Sequence, residues 1–177
     1  MINGAADYTI CYFDKRLKTT HAHQLAASLV FYSPLQTIFW YDKPSFYHGE
    51  PEMEWFENLQ TVFDDTKVLD GAPGKNITMA RRKGQEWFVA AMTNNEGSEE
   101  EIPLTFLDKE KNYLACIYTD GGEKIKTSTQ VKCTYLLVNA SQTMKFQLKP
   151  SGGAAIRLVP IDRQEMKKYK KYKGERL

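Results

Sequence analysis

His21 and His23, the cysteines Cys11, Cys116 and Cys133, and the carboxylate pairs Glu52/Glu54 and Asp64/Asp65 are the residues of this sequence whose types could do chemistry. Two histidines can share a metal ion. On a helix, however, positions i and i+2 point about 200° apart, whereas a chelating helical pair is spaced i, i+4. His21 and His23 therefore read as one capping or packing histidine and one exposed. Neighbouring carboxylates can serve as general acid and base, but pairs this close in sequence read as solvated faces, and no catalytic role is assigned to them. Three cysteines cannot pair completely and none stands in a CxxC spacing, which argues against a zinc ribbon or a disulfide scaffold. Cys116 in LACIY and Cys133 in VKCTY read as small buried hydrophobes on strands. No motif pairs a cysteine with a histidine base. Asn76-Ile77-Thr78 and Asn139-Ala140-Ser141 match the glycosylation sequon and are read as accidental. The sequence thus presents no catalytic, cofactor-binding or metal-ligating residue.

The elements that would position these groups centre on Asn76 to Asn95, NITMARRKGQEWFVAAMTNN. Ile77 and Met79 alternate against Thr78, Ala80 and Arg82, the period of a half-buried strand. After Lys83-Gly84, where glycine supplies a positive φ for a tight turn, the run from Trp87 to Met92 is apolar throughout. That pattern predicts a strand covered on both faces, with Trp87 and Val89 toward the core. Further strands are expected over Thr61 to Leu69, Glu101 to Leu107, Tyr113 to Tyr118, Val131 to Val138, Thr143 to Leu148 and Gly153 to Val159. Short strands at this spacing predict an antiparallel β-sandwich over residues 63–160. Upstream, Thr19 and Thr20 offer an N-cap for a helix reaching about Tyr32, with Leu25, Leu29 and Tyr32 on one face. Tyr8 to Phe13 reads as a brief buried strand, Leu35 to Tyr41 as a second apolar segment, and Glu50-Pro51 as the opening of a short helix through Asn58. The fold class is mainly β, with a short helical segment over residues 1–62 before the sandwich.

Composition is that of an ordinary globular chain, 42% hydrophobic and 26% charged. The net charge of +2 is uneven, because the stretch from Asp162 to Leu177 holds seven basic and three acidic residues. Residues 161–177 read as a basic, disordered tail. Its lysine–tyrosine interleaving could meet phosphates and bases, but the expectation is no specific nucleic-acid binding. The first residues, MINGAADYTICYFDKRL, have neither the basic start nor the apolar core of a signal peptide. No apolar run approaches the ~20 residues that span a bilayer, and no membrane partner is expected.

The runs TTHAHQLAASLVFYSPLQ (Thr19–Gln36) and YDKPSFYHGEPEMEWFENLQTVFDDTKVLDG (Tyr41–Gly71), the hairpin with MTNNEG, and Gly152-Gly153-Ala154 followed by Ile156-Arg157-Leu158 resemble the C-terminal part of glycoside hydrolase family 97. The resemblance runs in consistent order over about residues 3–160. It implies a parent α-glucosidase or α-galactosidase, often periplasmic, with an N-terminal β-sandwich, a (β/α)₈ barrel and a C-terminal β-sandwich. Residues 1–62 would be the end of the barrel, holding its last strand. The family's calcium ligands, general acid and nucleophile or base would lie upstream, leaving no cofactor in this chain. Asp7 is the carboxylate best placed by the resemblance, because in the family its segment follows a barrel strand, and such sites lie at the C-terminal ends of strands. Glycoside hydrolysis needs two carboxyls about 5–5.5 Å or 6.5–9.5 Å apart, and the partner of Asp7 is missing.

The expected function is therefore a C-terminal fragment of an α-glycoside hydrolase, structural or oligomerising and inactive alone. The alternative is an independent carbohydrate-binding module displaying the aromatics Phe31, Tyr32, Phe39, Trp40, Tyr41, Phe46, Tyr47, Trp55 and Phe56, with α-linked sugars as ligands. The partner expected is a second copy of the chain or the missing barrel, with the aromatic segment of residues 19–58 buried in the contact.

Overall fold

The computed structural model describes residues 7–31, 33–38 and 42–177. Tyr32, Phe39, Trp40 and Tyr41, named above, lie outside the described residues.

Two short strands, β1 (Tyr8–Ile10) and β2 (Gln36–Ile38), pair in parallel, with Tyr8 opposite Gln36 and Ile10 opposite Ile38. A parallel pair needs a crossover, which is supplied by helix α1 (His21–Val30). The Thr20 hydroxyl caps it, accepting from His23 N–H at 3.1 Å. The upstream segment is thus a complete βαβ unit rather than one terminal strand. The second strand escapes a pattern reading because it is three residues long and its partner is far away in sequence. A short helix α2 (Met53–Asn58) follows.

Seven strands form the main sheet: β3 (Asp65–Ala72), β4 (Asn76–Lys83), β5 (Glu86–Thr93), β7 (Asn112–Asp120), β8 (Val131–Asn139), β10 (Gly153–Ile161) and the two-residue β11 (Lys170–Lys171), in the order β11-β8-β7-β10-β5-β4-β3. All their pairings are antiparallel except β11 on β8. Among the described residues the facing sheet is β6 (Ser98–Pro103) against β9 (Thr143–Leu148). The two sheets form the sandwich, with unequal layers.

Alternation along β5 divides the molecule. Trp87, Val89 and Ala91 point into the space between the sheets, with Ile117, Ile156 and Leu158 from the large sheet and Ile102, Met144 and Phe146 from the small-sheet side. Phe88, Ala90 and Met92 point the other way, onto Leu25 and Leu29 of α1, Ile10, Tyr12 and Trp55. The apolar run from Trp87 to Met92 is doubly covered because the helical layer lies on the outer face of the sheet. The expected strand over Thr61 to Leu69 begins later, at Asp65, and runs past Gly71 through a bulge between Val68 and Asp70. The segment Glu101 to Leu107 is strand only through Pro103, after which Leu104 and Leu107 close a turn.

The C-terminal tail is not disordered. Lys170 and Lys171 pair with Leu136 and Leu137 at the β8 edge, and Tyr172 is buried in the inter-sheet core. The Tyr172 hydroxyl accepts from Lys145 N–H at 3.0 Å and donates to the Glu175 carbonyl at 2.8 Å. Arg176 makes a two-pronged ion pair with Glu99 on β6. The lysines stay in solvent while one tyrosine anchors the strap, so composition alone misreads the segment. Among the described residues no helix is long and apolar enough to cross a membrane.

Candidate functional site

The C-terminal ends of β1 and β2 open side by side, and the loops that follow them are tied together. Phe13 N–H, just after β1, donates to Asp42 Oδ2 at 3.1 Å. Asp42 Oδ1 is buried and has no hydrogen-bond partner among the described residues. A cleft of about 830 Å³ opens here, lined by Phe13, Asp14, Arg16, His21, Asp42 and His48 among others. A second hollow of about 500 Å³ shares Phe13 and Asp42 and adds Tyr47, Met53, Phe56 and Glu57. Aromatic faces beside carboxylates and a guanidinium can hold a polar ring by stacking and hydrogen bonding.

Acid–base chemistry has little footing in it. The Asp14 carboxyl is gripped by Arg16 through a side-chain pair at 2.7 Å and is held down to about 2, so it offers no proton near neutral pH. His21 packs edge-on against Tyr12, ring centroids 5.0 Å apart, and burial pushes its pKa down despite hydrogen bonds to the Tyr12 and Thr129 backbone.

The second feature is a row of three glutamates at alternate positions, of which Glu50 and Glu54 reach across to the sandwich. Glu50 Oε1 accepts from the Ser128 hydroxyl at 3.4 Å. Glu52 Oε1 accepts from Tyr12 at 3.1 Å. Glu54 Oε2 accepts from Tyr118 at 3.1 Å and Tyr135 at 2.9 Å. Glu52 is fully buried, and desolvation raises its pKa against the hydrogen bonds that favour the anion. Trp55 packs against the sheet nearby, its indole N–H donating to Ser28 at 2.9 Å and its ring edge-on to Phe88 and Tyr118. At the other end of α1, Thr20 N–H bonds the Ser151 carbonyl at 3.1 Å, and His23 Nδ1–H donates to the Gly152 carbonyl at 3.0 Å. Burial lowers the pKa of His23 as well.

The two histidines thus diverge, His21 to Tyr12 and His23 to Gly152, as i, i+2 spacing requires. Asp7 immediately precedes β1 and is exposed. It stands at the N-terminal end of β1. Glu52 and Glu54 are no solvated face, because their neighbours are tyrosines far away in sequence. Asp64 and Asp65 do stay solvated, paired with Lys83 and Lys67. The Cys116 and Cys133 thiols are pushed up to about 12, chiefly by burial, consistent with packing cysteines. Asn76 is engaged through its side chain with Asp70 and Glu100. Among the described residues no three His, Cys, Asp or Glu side chains are grouped to hold a metal ion. Asp42 was missed because its role is set by the loop after β1, and no local spacing signals that.

Residues 62–159 match the family model described as glycosyl-hydrolase 97 C-terminal, oligomerisation. A retaining alpha-galactosidase of Bacteroides thetaiotaomicron is 34% identical over 153 residues, which make up 86% of this chain and 23% of that protein. A probable retaining alpha-galactosidase of Streptomyces bingchenggensis is 24% identical over 156 residues, again 23% of its length. The chain therefore spans about a quarter of the curated relatives it matches. Among solved structures, a glycoside hydrolase family 97 enzyme from Pseudoalteromonas in complex with panose superposes with a TM-score of 0.79 at 31% identity, covering 90% of this chain and 27% of that one. A beta-arabinopyranosidase gives 0.62 at 25% identity, covering 79% and 21%.

Proposed function

Because this chain belongs to the glycosyl-hydrolase 97 C-terminal oligomerisation family, we propose that it serves as the assembly end of an α-glycoside hydrolase. In this reading the sandwich holds the last βαβ unit of a catalytic barrel and joins subunits, without turnover of its own. The observation that carries the reading is the packing of that unit: α1, Tyr12 and Trp55 bury their apolar side against the outer face of the main sheet, while the β1–β2 pair has no further strand beside it among the described residues. A two-stranded parallel sheet does not close a barrel, so the unit is shaped to receive more strands. The general acid, the nucleophile or base, and the calcium ligands implied by the resemblance would be supplied upstream. Glu50, Glu52 and Glu54, the obvious acidic cluster here, each accept from a hydroxyl.

Sedimentation velocity from 1 to 100 μM tests the assembly reading. A concentration-dependent dimer is expected, and a monomer throughout would refute it. Incubation with aryl α-galactoside and α-glucoside should give no release, and turnover would refute the claim of inactivity.

A second reading, sugar binding, draws on the cleft at the C-terminal ends of β1 and β2. Phe13, Tyr47 and Phe56 would stack a sugar ring and Asp42 would take its hydroxyls. Titration with maltose, isomaltose and melibiose, followed by tryptophan fluorescence, should saturate if the cleft is a subsite; a flat response removes this reading.

A further inference from the structure

We propose that the subunit contact lies on the outer face of the β3–β4 hairpin, where a second copy of this chain docks face-on around Val68. This rests on the assembly reading above and assigns it a surface.

Among the described residues, the exposed large apolar side chains upstream of the matched stretch are Phe31, Leu35, Phe46 and Tyr47. Within the stretch matched to the oligomerisation family, the exposed ones among the described residues are Val62, Val68 and Tyr135. Tyr135 has its hydroxyl committed to Glu54. Val62 and Val68 remain, 61% and 65% exposed, with no polar atom to explain their position in water.

The register shows how they sit. Val68 is opposite Met79 and Thr66 is opposite Arg81, while Arg81 is opposite Phe88. Thr66 and Val68 therefore share the face that α1 covers further along the sheet, over β5 and β10. Beyond α1 this face carries concavities on both sides of the Val68 position. A hollow of about 260 Å³ is formed by Val62, Phe63, Thr66 and Arg81. A groove of about 580 Å³ runs between Val68, Ile77 and Met92. A projecting apolar residue beside shallow hollows is self-complementary under a two-fold axis, because each copy offers both knob and recess.

Charge permits the same partner. Asp64 is paired with Lys83, while Asp65 and Lys67, which alternate with Thr66 and Val68, lie on the opposite face, Lys67 over the Trp87 ring, so neither acid repels an identical surface. Strand addition along β3 is disfavoured by the bulge between Val68 and Asp70 and by its charged residues, features that blunt a sheet edge. The contact is accordingly between faces, with Val68 near its centre.

The test is sedimentation velocity on the full chain and three variants. Val68→Asp and, independently, Val62→Asp place a charge in the contact twice per dimer, and each should raise the dissociation constant roughly 10²-fold. Both side chains are solvent-exposed in the single chain, so the circular dichroism spectrum should be unchanged. Leu35→Asp, on the barrel side, should leave the dimer intact. A dimer that survives both valine changes, or one broken by Leu35→Asp alone, overturns this surface and leaves the assembly reading standing. A wild-type chain that stays monomeric at 100 μM overturns both.

Discussion

Replacing Gly153 by alanine should loosen the helical layer from the sandwich. A Cβ on Gly153 would stand 2.8 Å from His23 Cα, 3.0 Å from the Ala91 carbonyl oxygen and 3.1 Å from that of Ala22. All three are backbone atoms, and carbon atoms prefer a separation of about 3.5–4.0 Å. The start of α1 would have to rise by roughly 0.7 Å, straining the Thr20–Ser151 and His23–Gly152 hydrogen bonds that fix it there. Overpacking of this kind costs about 1–3 kcal/mol. The loss of glycine's freedom in the unfolded chain offsets about 0.4–1 kcal/mol of that. A net cost of about 1–2 kcal/mol corresponds to a Tm lower by about 2–8 °C in a chain of this size. Calorimetry and circular dichroism read the shift directly. Gly153 has no positive φ, so backbone strain does not contribute and contact with α1 is the cause. An unchanged or higher Tm would refute the close seating of the helix on β10.

Trp87→Ala, which empties a buried site between the sheets, should cost about 3–5 kcal/mol, and an unaltered thermal transition would contradict that core. Tyr172→Ala should free the C-terminal strap and speed tryptic cleavage at Lys170, Lys171 and Lys173, whereas Tyr172→Phe, losing only the hydroxyl bonds, should cost about 1–2 kcal/mol and leave the strap protected; equal cleavage in wild type and Tyr172→Ala would count against the anchor. Glu52 has a pKa raised by burial above its unfolded value of about 4.3. Its stabilising contribution is thus present below that value and lost as pH rises through the folded pKa. Glu52→Gln keeps an acceptor for Tyr12 and does not ionise, so its stability relative to wild type should increase as pH is raised above about 4.3. A difference independent of pH from 4 to 8 would show that the carboxyl does not titrate there.

Much of the sandwich is legible in the sequence because one face of each strand is buried and alternation records it. The boundaries of β9 and the doubly apolar run of β5 follow directly from that pattern. The Gly-Gly-Ala run could be matched to a family, but the reason for it is spatial: α1 touches the backbone at Gly153. The βαβ unit is hard to read, since three residues of strand carry too little pattern and the partner is supplied across a helix. Glu52 looks like a solvent residue until Tyr12 closes over it, and the lysine-rich tail looks unstructured because a single tyrosine supplies its anchor. At the cleft, Phe13 and Asp42 are brought together only by parallel pairing, and no spacing in the sequence announces it.

We propose that the βαβ unit and the sandwich form one cooperative body through the contacts of α1, Trp55, Glu50 and Glu54. Native-state hydrogen exchange on the isolated chain measures this most directly. The amides of Leu25 to Val30 in α1 should open with the same free energy as those of Val89 to Ala91 in β5 and Ala155 to Arg157 in β10. Exchange of the α1 amides many-fold faster, while the strands stay protected, would show that the unit opens independently of the sandwich and would contradict that cooperativity.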